Sequence, residues 1–271
     1  MATEIVAGPL GELRAASTAS GGTALTTTAG YIQLPLKTQH VFITPRNFAT
    51  AVVAKVALNP WLVVLKTIDA MVTEPTDYSN AAQDADTATD IDVSALSTLA
   101  NGDFLLVGSH LPFRGVYIDV DSTNSLGTAA LDVFYWGPGG WTDYSDTDGT
   151  FSTMVFAQDG LVSWTVAAAW RPEQLATIYP EMPVTRYYSK IPLYWTRWSV
   201  DAAITDTTVT FNSMVAANRS TAYAELLSGQ TFEERVQHGE LGGVGCIEAL
   251  TDAGTANLIV NVATLRSGRY Q

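Results

Sequence analysis

The clearest hydrophobic pattern lies between residues 93 and 214, where short apolar or alternating segments recur between turn residues. The segments are rich in β-branched and aromatic side chains, a composition typical of β-strands. They cover residues 103–109, 115–121, 129–136, 161–166, 193–200 and 207–214. Short strands separated by Asn-Gly, Asp-Gly and Gly-Pro-Gly-Gly turns predict an all-β fold, with an antiparallel β-sandwich or jelly-roll-like core at residues 93–214.

One of these segments, residues 193–200 (LYWTRWSV), carries tryptophan on both of its faces. Successive side chains of a strand point to opposite faces of the sheet, so Trp195 and Trp198 point in opposite directions. We therefore expect another part of the chain to cover the outer face of this sheet.

Residues 31–92 form a predicted N-terminal β segment. Its expected strands cover residues 31–36, 40–44, 51–58 and 61–68, with a turn at Asn59-Pro60. Residues 48–58 also fit the 3.6-residue period of a helix, so a helix is the alternative there. The valines and the short length of this segment favour a strand.

The N-terminal β segment ends in an acidic loop at residues 69–92. Almost no large apolar side chain occurs there, while seven carboxylates do: Asp69, Glu74, Asp77, Asp84, Asp86, Asp90 and Asp92. The spacing fails the EF-hand pattern, as does the run that includes Asp146 and Asp148. The default expectation is a solvated loop, and the sequence leaves open whether it is ordered or binds calcium in a looser site.

The two ends of the chain are predicted to lie outside the sandwich core. Residues 1–30 are rich in Ala, Thr and Gly and cannot bury enough apolar area to fold alone, so we expect an extended arm that lies on a neighbour. Deleting this arm should leave a folded domain. Residues 215–271 are predicted to be a C-terminal extension that packs on the core or on a neighbour.

Within and before that extension, the sequence predicts a few further elements. Short helices are expected at residues 170–179, where a proline lies near the first turn, and at residues 232–238, where a capping box precedes a His-Gly stop. Residues 245–250 and 256–265 are expected to pair with each other as a C-terminal β-hairpin.

Composition and charge exclude several function classes. The 271 residues include 27 acidic and 14 basic side chains, for a net charge of −13. This charge argues against nucleic-acid binding and against anionic membranes. The lone cysteine, Cys246, excludes an internal disulfide framework and is expected to be a buried, inert thiol. The N-terminal sequence lacks a signal-peptide pattern, so we expect assembly in a reducing cytoplasm.

Candidate chemistry is sparse. The histidines His40, His110 and His238 accompany no nucleophile elbow, no zinc-binding pair and no phosphate loop. The sequence therefore predicts a protein that is not an enzyme and has no cofactor.

The aromatic residues around the Gly-Pro-Gly-Gly turn are the one candidate binding site. Trp136, Trp141 and Tyr144 flank this turn and could form a platform for a glycan. The alternative is that GPGGW forms a hairpin turn whose tryptophan folds back on the sheet.

Three aromatic motifs follow one another along the chain. They are YWGPGGW at residues 135–141, GLVSW at residues 160–164 and YWTR at residues 194–197. Their order resembles that of β-sandwich structural proteins of tailed bacteriophages, over about residues 96–211. The resemblance implies a virion component, such as a capsid decoration or cement protein, that binds the major capsid protein and copies of itself. It names no active residue.

A second interpretation keeps the virion location and changes the role. In it, the chain is a tail, fibre or baseplate module that binds host glycan through exposed aromatic side chains.

Overall fold

The computed structural model describes residues 22–35, 37–51, 53–84, 86, 88–94, 96–183, 187–220, 222–236 and 243–264, and the backbone alone at residues 5–6 and 12–15. The chain is mainly β, with 48% strand and 4% helix. The strand pairs given for the described residues are antiparallel, apart from two isolated parallel bridges. The predicted all-β fold is therefore confirmed.

The strands are numbered in chain order. The N-terminal strands are β1 Ile5–Val6, β2 Glu12–Ala15, β3 Thr23–Leu25, β4 Gly30–Gln33, β5 Thr38–Ala49 and β6 Ala54–Pro60. The central strands are β7 Val63–Thr67, β8 Thr76–Asp77, β9 Ile91–Asp92, β10 Phe104–Ser109, β11 Gly115–Ser122, β12 Leu131–Gly137, β13 Gly140–Asp143, β14 Thr147–Asp148, β15 Gly160–Ser163, β16 Pro172–Glu173, β17 Leu193–Val200 and β18 Thr210–Ala216. The C-terminal strands are β19 Ala224–Leu226, β20 Phe232–Arg235, β21 Val244–Thr251 and β22 Thr255–Thr264. Among the described residues, one α-helix, α1, covers Leu175–Ile178, and 3-10 turns cover Leu99–Asn101 and Tyr187–Ser189.

The chain divides into two compact units. The first contains residues 1–59 and 221–271, and the second contains residues 60–220. Each unit buries one apolar core between two sheets, so we call them the first and the second sandwich. The observed division differs from the predicted one, because residues 60–92 join the expected sandwich core while the two chain ends combine in a sandwich of their own.

The first sandwich is built from strands that lie far apart in the sequence. One sheet has the order β1-β2-β22-β5-β20, with β3 also paired to β22, and the other has the order β19-β6-β21-β4. Aliphatic side chains from both sheets fill the core, among them Val41, Val260, Val56 and Ile247. The N-terminal and C-terminal segments therefore depend on each other for burial.

This arrangement overturns the predicted C-terminal hairpin. β21 pairs with β4, where Cys246 lies opposite Gln33, while β22 pairs with β5 along nearly its whole length. Consecutive in sequence, the two strands lie in different sheets. Each buries one face in the core and finds its backbone partner among the N-terminal strands.

The predicted helix at residues 232–238 is also wrong where it is described. β20 is an edge strand that pairs with Val41 and its neighbours in β5. Backbone pairing to the sheet outweighs the weak helix signal of the capping box. Residues 237–238 of the prediction lie outside the described residues.

The predicted N-terminal arm lies along β22 of its own chain where the backbone is described. β2 pairs with residues 261–264, and β3 pairs with residues 256–258. Deleting residues 1–30 would remove β3 and the first residue of β4, so the expectation that this deletion leaves a folded domain no longer follows.

The second sandwich confirms the predicted sandwich and extends it back to residue 60. One sheet has the order β13-β12-β17-β10-β7-β8, with β16 also paired to β17, and the other has the order β14-β15-β11-β18-β9. Large rings fill its core, and Phe113 packs edge-on against both Trp164 and Trp170. The predicted strands at residues 51–58 and 61–68 correspond to β6 and β7, so the strand interpretation of residues 48–58 is correct for β6.

Both faces of β17 are covered, as its tryptophans predicted. Trp198 lies in the core of the second sandwich, and Trp195 lies on the opposite face. Both side chains are fully buried. The segment that follows Trp170 covers Trp195, whose indole nitrogen donates to the Glu173 carbonyl over 2.9 Å. The predicted helix at residues 170–179 is reduced there to the single turn of α1.

The described residues of the acidic loop form a series of short hydrogen-bonded turns. Asp69 accepts the backbone N–H of Thr73, and Asp77 accepts that of Ser79. The fully buried Gln83 side chain hydrogen-bonds the backbone N–H and carbonyl of Leu62 over 2.8 and 2.6 Å. The loop is thus tied to the second sandwich by side-chain–backbone hydrogen bonds.

Candidate functional site

The structure separates the three aromatic residues of the predicted glycan platform. In the β12–β13 hairpin, Trp136 lies opposite Trp141, so both side chains share one face of the sheet. Tyr144 follows β13 and belongs to the core, where its ring stacks on Trp164 at a centroid distance of 5.1 Å. Only 6% of Tyr144 is exposed, so its ring cannot serve as a surface platform.

Trp136 and Trp141 are half-buried on the outer face of the sheet. Their ring centroids are 5.4 Å apart and the rings are almost perpendicular, at 73°. Trp141 also packs near Tyr179, at a centroid distance of 6.4 Å. The two tryptophans therefore fold back on the sheet and still keep exposed surface, and glycan binding by this hairpin stays a prediction.

Arg197 lies at the centre of this outer face. β17 places it directly opposite Phe134 of β12. Its guanidinium carbon lies 4.8 Å from the Trp141 ring centroid, 4.9 Å from that of Phe134 and 5.8 Å from that of Phe104. Such cation–π contacts favour the charged guanidinium on partly desolvated surface. We call Phe104, Phe134, Trp136, Trp141, Tyr179 and Arg197 the aromatic–arginine cluster.

The ionisation of Arg197 and Tyr179 is fixed by their surroundings. Burial raises the pKa of Tyr179 to about 12, while the nearby Arg197 charge acts in the opposite direction. Burial lowers the pKa of Arg197, and Tyr179 opposes this shift. At neutral pH the cluster therefore holds a charged guanidinium beside a neutral phenol.

Two donors in the cluster lack partners. Within the described part of the chain, neither Nε of Arg197 nor Nε1 of Trp136 has a hydrogen-bond partner, and both atoms are buried. An unsatisfied buried donor costs about 1–3 kcal/mol. The cluster thus combines apolar rings with donors whose hydrogen-bonding capacity the protein leaves unused.

A second concave surface of the second sandwich is acidic. It is an open groove of about 450 Å³, and Asp132, Asp143, Asp146 and Asp148 are among the residues that line it. Burial raises the pKa of Asp146 to about 6, and burial together with neighbouring carboxylates raises the pKa of Asp132. No Lys, Arg or His is among the described residues that line the groove, so no cationic side chain there lowers the pKa values of these two carboxyl groups.

The groove carboxylates hydrogen-bond to the protein backbone. Asp146 accepts the backbone N–H of Val133, and Asp148 accepts that of Thr150 over 2.8 Å. Among the described residues, no group of three or more His, Cys, Asp or Glu side chains is arranged to hold a metal ion. The looser calcium site considered for Asp146 and Asp148 therefore finds no support in the geometry.

The histidines and the cysteine occupy structural positions. His40 stacks on Phe42 at a centroid distance of 6.4 Å, and burial lowers the pKa of His110. His238 lies outside the described residues. Cys246 is fully buried, and burial first and then the nearby Glu248 raise the pKa of its thiol. A thiol whose pKa is raised is a poor nucleophile.

Glu248 is a fully buried carboxylate in the first sandwich. It accepts hydrogen bonds from the Tyr223 hydroxyl over 2.6 Å and from the Asn59 amide over 3.1 Å. These bonds give the buried carboxyl oxygens hydrogen-bond donors from β6 and from the segment before β19. The arrangement supports a structural role for this carboxylate.

The sequence identified the Trp136–Trp141 pair but missed Arg197 as its neighbour. A two-residue turn at Pro138 and Gly139 pairs residue 136 with residue 141, so residues 142 and 144 must face the other side. Had this register been recognised in the sequence, Tyr144 would have been predicted to lie in the core. The position of Arg197 depends on the pairing of β12 with β17, which the sequence pattern does not specify.

No helix among the described residues is both long enough and apolar enough to cross a bilayer. Comparisons of the chain with protein-family models, with curated proteins and with solved structures found no match.

Proposed function

We propose that this chain is a structural protein of a tailed-phage virion, and specifically a decoration or cement subunit that binds the major capsid protein and copies of itself. The resemblance of its aromatic motifs supports this proposal, since all three motifs contribute strands to the second sandwich. The all-β architecture fits a role in adhesion without chemistry. Among the described residues, no group of His, Cys, Asp or Glu side chains is arranged to hold a metal ion.

The observation that carries the proposal is that the N-terminal and C-terminal segments of the chain together build the first sandwich. β22 is paired with β5 on one side and with β2 and β3 on the other. Opening this sheet requires breaking pairs between residues that are about 200 positions apart in the chain. Such non-local pairing forms slowly and favours a protein that, once folded, stays folded on the surface of a particle.

Particle binding tests the proposal. Purified chain is mixed with phage heads that lack it, and the bound fraction is measured by co-sedimentation. We expect saturable binding at a fixed ratio to the major capsid protein, and the same binding by Arg197→Met, which alters the aromatic–arginine cluster alone. Heat-unfolded chain is the control. Absence of binding to heads at any concentration would contradict the decoration role.

A second function, glycan binding by a tail, fibre or baseplate module, is favoured by one observation. Trp136 and Trp141 keep exposed surface on the outer face of the sheet, next to a guanidinium. Aromatic side chains with one apolar face and a polar neighbour are common in ligand sites. In that case the chain would bind host polysaccharide, and heads that lack it would not recruit it.

A further inference from the structure

We propose that the aromatic–arginine cluster binds a carboxylated sugar, such as a uronic acid residue of an acidic polysaccharide. This inference rests on the second proposed function and specifies its ligand. Trp136 and Trp141 would pack against the apolar face of the sugar ring, and the Arg197 guanidinium would receive the carboxylate.

The charge distribution at the cluster supports an anionic ligand. Among the residues that the structure describes, the phenol of Tyr179 opposes the effect of burial on the Arg197 charge, and no described carboxylate contributes. A second arginine, Arg171, is exposed, and its backbone N–H donates to the Trp136 carbonyl over 3.2 Å. The chain carries a net charge of −13, so a guanidinium that contacts aromatic rings and is neutralised by no described carboxylate is a local exception.

Two carboxylates share the outer face with Arg197 by register. Asp132 is its diagonal neighbour on β12, and Asp143 lies one strand further away, opposite Phe134. Neither of them acts on the pKa of Arg197. Because guanidinium groups bind carboxylates through parallel N–H donors, an arginine that neither of these carboxylates neutralises is suited to this recognition.

The shape of the hairpin tip leaves room for a ligand. Pro138 and Gly139 are exposed, and a Cβ atom added at Gly139 would meet no other atom within 4 Å. The two indole rings stand nearly perpendicular, so together they offer an edge and a face.

An acidic peptide is the competing ligand for a guanidinium. The observations favour the sugar, because the groups next to Arg197 are aromatic rings, which can pack against the apolar face of a sugar ring. Polyglutamate therefore enters the experiment as a separate arm.

Calorimetric titration tests the inference with the full chain. The ligands are a hexamer of galacturonic acid, the same hexamer with all carboxylates methyl-esterified, and polyglutamate of similar length. We expect the free acid to bind at least tenfold more tightly than the ester, and its affinity to fall as salt rises. Arg197→Met should weaken binding of the acid at least tenfold. Arg235→Met, on the exposed edge of the first sandwich, is the matched control and should leave binding unchanged.

Each outcome has a distinct meaning. Equal binding of the acid and its ester would overturn the role of Arg197 and leave glycan binding in place. Binding of neither hexamer would overturn the inference and the second proposed function together. Polyglutamate binding as tight as that of the free acid would show that the cluster recognises carboxylate without the sugar, and the inference would fail. The comparison of acid and ester uses the wild-type chain, so it stands even where Arg197→Met does not fold.

Discussion

The two sandwiches have the same architecture, but they differ in the continuity of their chain segments and in the side chains of their cores. The first brings together two distant parts of the chain and fills its core with aliphatic side chains. The second is one continuous segment, and its core includes many large rings, among them Trp164, Trp198 and Phe211. The difference indicates that the second sandwich owes its stability to aromatic packing, while the first depends on long-range strand pairing and on a buried polar network.

The largest expected effect is on the aromatic core. Trp198→Ala removes a fully buried ring that lies 6.0 Å from Trp164 and donates a hydrogen bond to Thr196. We expect a loss of about 3–5 kcal/mol in the free energy of unfolding of the second sandwich. Hydrogen exchange measured by mass spectrometry reports this loss at residues 60–220. A loss below about 1 kcal/mol there would contradict the proposed dominance of aromatic packing.

The next effect concerns the covered outer face of the second sandwich. A Cβ atom at Gly108 would overlap the Trp195 ring, which is itself fully buried. We expect Gly108→Ala to lower the free energy of unfolding by about 1–3 kcal/mol, because the ring must shift within a packed site. Gly139→Ala is the matched control, since nothing lies within 4 Å of its added Cβ. Urea unfolding distinguishes the two variants, and equal stability of both would refute the close packing of Trp195.

A smaller loss of stability is expected when the polar network of the first sandwich is altered. Tyr223→Phe removes the 2.6 Å hydrogen bond to the buried carboxylate of Glu248. We expect a loss of about 1–2 kcal/mol in the free energy of unfolding, detected as faster hydrogen exchange in β21. Tyr194→Phe, on a partly exposed ring of the second sandwich, is the control and should change exchange little. Unchanged exchange in β21 of Tyr223→Phe would show that Glu248 does not depend on this donor.

The smallest effect is a pH dependence of the second sandwich. The folded-state pKa of Asp146 is about 6, which lies above the ordinary value of 3.8. The folded state therefore holds this proton more tightly, and the stability of the second sandwich should fall as pH rises from about 4 to about 6. After allowance for solvent screening the change is about 1 kcal/mol. Asp146→Asn should remove most of this slope in urea unfolding, and an identical slope would contradict the assignment.

The same comparison explains what the sequence could and could not predict. Strands of the second sandwich follow from local alternation, and the tryptophans on both sides of β17 correctly predicted a covered sheet. The pairing of Cys246 with Gln33 joins residues more than 200 positions apart, and no local pattern specifies such a partner. The predicted hairpin of β21 and β22 failed for this reason.

The candidate site, too, could be predicted only as far as local sequence patterns allow. Trp136 and Trp141 were found because they flank a turn, and their shared face follows from the hairpin register. The Arg197 guanidinium reaches them only through the order β13-β12-β17-β10, which brings Phe104 and Phe134 to the same face. Strand order across a sheet is set by the packing of the whole core, so the cluster emerges only with the fold.

Electron cryomicroscopy of purified phage particles tests the proposed virion role most directly. If the proposal is right, each copy of the chain contributes the density of two β-sandwiches, repeated over the outer surface of the capsid and in contact with the major capsid protein. Density confined to the tail fibres or baseplate would favour glycan binding instead. Purified particles without any copy of the chain would contradict the virion role altogether.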